Sequence, residues 1–374
     1  MKIAVFSRSQ ELNGIHEIRR SLPELDPRFV VAETTRDLIQ LLRSKPSAIT
    51  HLFCLSSTDA LIGIWVLQRL KKNIPVLMGV YHPQQWEVML NQHYSKTRAS
   101  IFQNILAHTP ASAIVYNSQT AYASCMQRYP IPGNPLFSFG ASRFNGANQA
   151  LKRPSKTALS VITVGRYVDF KLYSILHMMT VIDQLNTEGL ESHYHIHGEG
   201  PSKPTLENAI AKLRYPERIH LHNALPPAEF AKTVANHDLF FGMGFALCHA
   251  AMMGLPALIA IQSEEGPKTY GFFSAFDHEK TPMFGDPTEG ALPLDLETEV
   301  RRFCALSDDK KINLGLACKA ASTPYLGSTV AKKLADICAK VPLVQYPVIS
   351  MLDILKIRLE SYWSRFFGKS VQHV

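Results

Sequence analysis

The chain has 374 residues, of which 46% are hydrophobic and 19% charged, so it is long enough for two globular domains. Its net charge of +8 favours an acidic partner, but no basic run is interleaved with aromatic residues, which argues against a nucleic acid partner. No apolar run has the ~20 residues of a membrane-spanning helix, no signal peptide is predicted, and the six cysteines form no CxxC pair, so we expect reduced thiols and a cytoplasmic protein.

The first half alternates short apolar strands with helices. A strand over residues 1–6 opens into a polar loop with Asn13 and Gly14, and a buried strand over residues 75–81 ends at His82. Ligands of open α/β sheets bind at the carboxyl ends of the strands, so we expect these residues to face the same crevice. His82 is suited to exchange a proton or a hydrogen bond there; alternatively it is capped by a neighbouring carbonyl group.

The segment VITVGRYVDFK, residues 161–171, follows a polar linker. Its apolar strand ends at Gly165 and Arg166, and Lys171 comes five residues after the arginine, before a helical run. Arginine clamps phosphate oxygens with a planar fork, and lysine adds a mobile point charge. The pattern predicts an anion site at a strand end; the alternative is an ordinary strand-to-helix turn with two surface cations.

Two further glycine-containing turns follow predicted strands. HYHIHGEG closes at Gly198, Glu199 and Gly200, where glycine permits close approach of the backbone to a ligand or simply forms the turn. Gly244 stands just before a helix that begins near Phe245 or Ala246. The free N–H groups and the dipole at such a helix start attract anions.

Two patterns allow more than one interpretation. Histidines alternate along two strands, at 193, 195 and 197 and at 220 and 222, but no carboxylate or thiolate lies at a matching spacing, so a ligand crevice is favoured over a metal site. Near the C-terminus, Leu352, Leu355 and Leu359 recur at helical spacing among basic residues. This amphipathic helix is suited to packing on the body, which we favour, or to lying on an anionic membrane surface through residues 350–369.

The second half resembles the donor domain of retaining GT-B glycosyltransferases, the bacterial class called family 4 or group 1. GRYVDFK reproduces the family's donor-phosphate motif, HGEGP looks like its Gly-acid-Gly-Pro turn, and RIHLHNALPPAEF looks like the segment whose main chain meets the nucleobase. FGMGFALCHAAMMGLP aligns with the segment that carries two glutamates separated by seven residues. YHP stands where the family often has a histidine near the donor sugar. The resemblance covers roughly residues 70–265.

The resemblance implies the GT-B architecture, which is two Rossmann-like, doubly wound parallel-sheet α/β domains facing a central cleft. It implies an acceptor-side domain over residues 1–145, a linker over 146–158, a nucleotide-sugar-binding domain over 159–340, and a crossover amphipathic helix within 341–374.

The resemblance also implies the site residues, in three groups. The residues implied in transfer are His82, Arg166 and Lys171. The donor-binding residues are Gly165, Gly198, Glu199, Leu225, Gly244, Phe245, Ala246 and His249. On the acceptor side we expect Asn13, Gly14 and Trp86. No metal or other cofactor is expected to be obligatory, because the two cations and the helix start would share the charge of the diphosphate.

One departure from the family pattern concerns both glutamates. Phe241 stands at the position of the first glutamate, which in the family contacts the donor sugar. His249 stands at the position of the second, which contacts the ribose. A histidine can still hydrogen-bond a ribose, whereas a phenylalanine cannot bind a sugar hydroxyl. Either this chain contacts its donor through other groups, or transfer activity has been lost.

The function implied is a hexosyltransferase-type enzyme that moves a sugar, with retention, from a nucleoside-diphosphate sugar to a glycan or lipid-linked acceptor in cell-envelope polysaccharide biosynthesis. The expected location is the cytoplasm, or the inner face of the membrane as a peripheral protein. The alternative is a catalytically silent GT-B protein that acts as a partner or scaffold in a glycan-synthesis complex.

Overall fold

The computed structural model describes residues 1–8, 21–44, 48–80, 84–92, 95–117, 119–135, 158–275, 285 and 292–366. The chain divides into two compact units. The first unit comprises Met1–Arg143 and Gly327–Val374, and the second comprises Phe144–Leu326.

The elements are numbered in chain order. The strands are β1 Ile3–Phe6, β2 Phe29–Ala32, β3 His51–Cys54, β4 Val76–Val80, β5 Ile114–Tyr116, β6 Asn134–Pro135, β7 Leu159–Val164, β8 Ser192–His197, β9 Ile219–His222, β10 Leu239–Gly242, β11 Ala257–Ala260, β12 Lys268–Phe272 and β13 Leu294–Asp295. The α-helices are α1 Thr35–Ser44, α2 Ser57–Arg69, α3 Gln84–Leu90, α4 Lys96–His108, α5 Gln119–Arg128, α6 Asp169–Thr187, α7 Lys203–Ile210, α8 Phe230–Val234, α9 Gly244–Met253, α10 Leu296–Cys304, α11 Asp308–Ala321, α12 Gly327–Cys338 and α13 Met351–Phe366.

The first unit contains a six-stranded parallel sheet in the order β2-β1-β3-β4-β5-β6. Its inner strands, such as IAVF in β1 and VLMGV in β4, are apolar at every position and fully buried, because a parallel sheet is covered on both faces. One core contains Phe6 and the residues of α2, and the other contains Val5 and Phe53.

Helix α12 belongs to the first unit, which corrects the predicted boundary at residue 340. Its apolar side chains Val330, Leu334 and Cys338 are buried in the same core as Ile3 and Val5 of β1. The hydrophobic stripe of α12 is therefore covered by the first sheet, so the chain leaves the second unit at residue 326.

The second unit contains a seven-stranded sheet in the order β13-β12-β11-β10-β7-β8-β9. Strands β7 to β11 are parallel, whereas β12 and β13 add an antiparallel edge that the sequence analysis did not predict. The chain runs outward from β7 through β8 to β9 and then returns to β10, on the other side of β7. The strand order therefore reverses between β7 and β10, which is where open sheets of this kind bind ligands.

The predicted pair of parallel-sheet α/β domains is confirmed by these two units. Among the helices that the structure describes, none is both long enough and apolar enough to cross a membrane.

Candidate functional site

A pocket opens at the carboxyl ends of β7 and β10, at the point where the strand order of the second sheet reverses. It is lined by residues that follow β7, by the start of α6, and by the end of β10; these are Thr163, Val164, Gly165, Arg166, Lys171, Ser174, Ile175, Phe241, Gly242 and Met243. The structure thus brings together the strand end, the arginine and the lysine of the GRYVDFK segment.

Lys171 lies in the first turn of α6, with its ammonium group directly over Gly165. A Cβ atom on Gly165 would be 2.8 Å from Nζ of Lys171, so a glycine leaves room for the lysine. Burial and, to a smaller extent, the neighbouring Arg166 together lower the pKa of Lys171 to about 8. A buried ammonium beside a guanidinium is unfavourable in the absence of an anion.

Neither cation of the pocket has a carboxylate partner within the described residues. Arg166 is exposed. Asp169, in the same turn as Lys171, accepts a hydrogen bond from the hydroxyl of Ser202 at 3.1 Å instead. Helix α6 begins after Val168 and α9 begins after Met243, and in neither case does a side chain cap the helix start. The pocket therefore concentrates positive potential that an external anion can neutralise.

The first turn of α9 has the geometry of an anion cradle. Gly244 has φ +69°, and no atom lies within 4 Å of the position that its Cβ would occupy. The amides of Gly244, Phe245 and Ala246 are in the first turn, where an α-helix provides no intrahelical acceptor. These three predicted donor-binding residues therefore offer main-chain donors at the same sheet edge as Arg166.

The Gly-Glu-Gly turn packs against the main chain of the segment that contains Gly165 and Tyr167. A Cβ on Gly198 would lie 2.0 Å from the carbonyl oxygen of Gly165, and one on Gly200 would lie 2.3 Å from that of Tyr167. The N–H of Tyr167 donates to the carbonyl of Glu199 at 2.8 Å. The predicted residues Gly198 and Glu199 thus fix the position of the GRYVDFK turn through close main-chain packing.

Tyr167 is a site residue that the sequence analysis missed. It is buried, and its hydroxyl oxygen lies 2.9 Å from the carbonyl oxygens of both Ile196 and His222. It therefore links the ends of β8 and β9 to the turn after β7. The available signal was an aromatic residue directly after the arginine of the motif.

The two positions where the family has glutamates differ in their environments. Phe241 is fully buried in the core and forms part of the pocket floor. His249 is only 7% exposed, and its ring packs edge-on against Phe230 at 5.8 Å between centroids. The described lining of the pocket does not include His249, so its predicted donor contact is not seen; the helix turns that side chain toward α8.

Trp86 is a core residue, which corrects the prediction that it contacts an acceptor. Trp86 belongs to helix α3 and is fully buried. Its ring packs against Phe102 at 5.8 Å between centroids, and its Nε1–H donates to the hydroxyl of Tyr116 at 3.1 Å. An indole held in this way cannot contact a ligand at the surface.

The other predicted residues lie outside the described lining of the pocket, as do Gly198, Glu199, Gly244, Phe245 and Ala246. Leu225 lies half-buried in the turn that follows β9 and is not among the described lining residues. His82, Asn13 and Gly14 lie outside the described residues. Among the residues that are described, no three histidine, cysteine or acidic side chains are grouped so that they could hold a metal ion.

Comparisons with known proteins identify the fold. No family model matches the chain, and no curated protein matches it. Several solved structures do match. The structure of HepE from Anabaena in complex with UDP-glucose has 14% sequence identity and a TM-score of 0.56 and covers 91% of this chain and 99% of its own. That of the lipopolysaccharide outer core galactosyltransferase WaaB has 12% identity and a TM-score of 0.51 and covers 90% and 99%.

A third structure, that of TarM from S. aureus in complex with UDP and an α-GlcNAc-glycerol, has 12% identity and a TM-score of 0.51. It covers 81% of this chain and 58% of its own. Together with the two parallel sheets, these similarities show that the chain has the GT-B fold of these glycosyltransferases.

Proposed function

We propose that the protein is a glycosyltransferase that transfers a sugar from a nucleoside-diphosphate sugar to a glycan or lipid-linked acceptor in cell-envelope polysaccharide synthesis. The observation that carries this proposal is the pair Arg166 and Lys171, which lack a carboxylate partner among the described residues and lie beside the start of α9. The neighbour HepE has UDP-glucose bound, TarM has UDP bound, and WaaB is a lipopolysaccharide outer core galactosyltransferase, which supports a similar donor and acceptor class.

The chemistry that this arrangement favours is the departure of a nucleoside diphosphate. As the bond between the sugar and the diphosphate breaks, negative charge builds on the leaving oxygen. Arg166, Lys171 and the amides of Gly244–Ala246 can stabilise that charge without rearrangement, since they are already oriented toward the carboxyl edge of the sheet. We expect transfer of a hexose with retention and without an obligatory metal ion, because three positive features share the diphosphate charge.

The experiment that tests this proposal is calorimetric titration with UDP, GDP, ADP, CMP and their common sugar conjugates. We expect micromolar binding of one nucleoside diphosphate and its loss in Arg166→Ala/Lys171→Ala. The matched control is Lys232→Ala/Lys310→Ala, which removes two exposed positive charges from the same unit at a distance from the pocket. Absence of binding to every nucleotide would overturn the proposal.

The second candidate is a catalytically silent partner protein, and the observation that favours it is the buried Phe241 where the family has a sugar-binding glutamate. The two candidates differ in turnover. A transferase releases nucleoside diphosphate from the bound donor, slowly to water and faster with an acceptor. Nucleotide binding with no release of diphosphate under either condition would support the silent partner.

A peripheral position on an anionic membrane is the second part of the proposal, and it rests on the two faces of α13. Ile354 is 6% exposed and packs in the first core, whereas Leu352, Leu355 and Leu359 are 60%, 45% and 59% exposed. The exposed Lys356 stands among these leucines. The carboxylate of Glu360 is bound to Ser95 and Thr97. The outward face therefore exposes three leucines and a lysine, a combination found in helices that lie in the plane of an anionic bilayer.

Sedimentation with vesicles tests the membrane proposal. We expect binding to vesicles of phosphatidylglycerol and phosphatidylcholine, weaker binding to phosphatidylcholine alone, and a loss of binding in Leu355→Ser/Leu359→Ser. The control Ile312→Ser/Leu316→Ser removes two exposed apolar residues from α11. Equal sedimentation of the two variants would contradict a role for α13.

A further inference from the structure

Five histidines form a continuous column across one face of the second sheet. In spatial order they are His193, His220, His195, His222 and His197, alternately from β8 and β9. Successive ring centroids are 5.5, 4.5, 5.4 and 4.3 Å apart. Ring nitrogens of His193 and His220 lie 3.1 Å apart, as do those of His195 and His222, so one neutral ring of each pair donates to the other.

The column ends at the candidate donor site. The ring of His197 stacks on that of His222 at 4.3 Å between centroids, and His222 is the last residue of β9 before the turn that follows it. The carbonyl of His197 accepts a hydrogen bond at 2.9 Å from the N–H of Gly165, which lines the pocket. The stacked rings of His197 and His222 thus connect the start of the turn after β9 to the strand next to the pocket.

The groups that face the column are nearly all cationic or neutral. His237, which precedes β10, lies 4.8 Å from His195 between ring centroids and is hydrogen-bonded through Nδ1 to Ser160 of β7. At the amino end, Arg218 lies 2.8 Å from Nε2 of His193. The carboxylate of Glu191 lies at that same end, 2.8 Å from Arg218.

Protonation of the column is therefore unfavourable. Burial, followed by the neighbouring histidines, lowers the pKa of His195 to about 3 and that of His197 to about 4, and burial also lowers the pKa of His220. Imidazoles stacked at this spacing cannot all carry a charge without separating.

We propose that His197 and the column behind it are positioning residues for the donor: the neutral column holds the turn after β9 beside the pocket, and mild acid releases that turn and weakens nucleotide binding. The nucleotide part rests on the proposed function; the acid sensitivity of the turn does not.

The direction follows from linkage. In the closed state the column holds the turn after β9, and in the open state the turn is released. The pKa of His197 is about 4 in the closed state, below the ordinary value of 6.5, so the open state binds more protons between these two values. The contribution of His197 to the stability of the closed state is fully present above pH 6.5 and decreases as the pH falls toward 4. At pH 5, His197 alone shifts the balance toward the open state by about thirtyfold.

The test compares wild type with His197→Gln and His197→Ala by calorimetric titration with the nucleoside diphosphate at pH 7.5 and pH 5.0. Glutamine retains an N–H donor but does not titrate. Because the terminal phosphate also titrates near pH 6, the readout is the affinity of His197→Gln relative to wild type. We expect this ratio to rise from pH 7.5 to pH 5.0, by up to about thirtyfold, while His197→Ala binds weakly at both pH values. His108→Gln, an exposed histidine of the first unit, is the control and should keep a constant ratio.

Two outcomes would overturn the inference. One is an affinity ratio of His197→Gln to wild type that is the same at both pH values. The other, measured on the unmodified protein by NMR, is titration of His195 and His197 near pH 6.5. If wild type binds no nucleotide, the proposed function fails, and the column is then tested by that titration together with melting temperature, whose loss in acid should be smaller in His195→Gln/His197→Gln.

Discussion

The two edges of the second sheet differ in whether their positively charged side chains are paired with carboxylates. At the amino edge, Arg218 is paired with Glu191, and Arg301 with Glu188 and Glu297, at 2.6–2.8 Å. At the carboxyl edge, Arg166 and Lys171 have no carboxylate partner within the described chain. The same sheet therefore neutralises its cations at one edge and leaves them available at the other.

From this difference we predict which charges are structural and which ones bind a ligand. An exposed ion pair contributes little to stability and binds no ligand. A partly buried ammonium next to a guanidinium costs stability, and the cost is offset only when an anion binds. The following predictions test this comparison.

The largest expected effect is that of Gly198→Ala. The added methyl group would lie 2.0 Å from the carbonyl oxygen of Gly165, and neither backbone can move without displacing Tyr167. We expect a loss of about 3–5 kcal/mol in the free energy of unfolding, measured by urea denaturation. A loss below about 1 kcal/mol would show that the two turns are not in contact as described.

The substitution Lys171→Met should change nucleotide binding and stability in opposite directions. Methionine has a similar length but carries no charge, so it removes one of the two pocket cations. We expect about a hundredfold weaker binding of the nucleoside diphosphate together with an increase of about 1–2 kcal/mol in the free energy of unfolding. Calorimetry and denaturation measure the two quantities. Losses in both would mean that Lys171 is a structural residue.

The pH dependence of wild type follows from the same lysine. Its pKa of about 8 lies below the ordinary 10.5, so the unfolded chain binds more protons between these values. The stability of the unliganded protein should therefore rise from pH 8 to 10.5, while affinity falls up to about tenfold per pH unit above 8 as the ammonium is lost. Both trends should be absent in Lys171→Met. For wild type, calorimetric titrations in two buffers should show proton uptake when the nucleotide binds at pH 8.

Gly244→Ala and Gly189→Ala form a matched pair. Both glycines have a positive φ, +69° and +84°, and open space around the Cβ position, so each substitution should cost about 1 kcal/mol of stability from backbone strain alone. Only Gly244 lies at the start of α9, so only its substitution should also weaken nucleotide binding, by about tenfold. Equal affinities in the two variants would remove the helix start from the site.

The smallest expected effect is that of Arg301→Ala at the amino edge. Its guanidinium is 38% exposed and its partners are also accessible to solvent, so the loss should be about 0.5–1 kcal/mol. Nucleotide affinity should not change. A change in affinity would show that the two edges are not independent.

The sequence by itself determined the two parallel sheets, and it predicted an anion site at the end of β7, where the structure has a pocket. Apolar strands separated by helices give buried parallel sheets, and a strand that ends at Gly165 and Arg166 places the cations at the carboxyl edge, since the direction of a parallel strand fixes where its end lies. The helix start at Gly244 was predicted on the same basis. These inferences depend on local patterns along the chain.

Only the tertiary structure decided what each side chain faces. Trp86 and His249 had the right residue types near the right strand ends, but both are buried by neighbouring elements. Helix α12 continues the sequence of the second unit, yet it is covered by the first sheet because its apolar stripe matches that surface. The histidine column requires β8 and β9 to be adjacent and in register, and no local pattern fixes the register of two strands 27 residues apart.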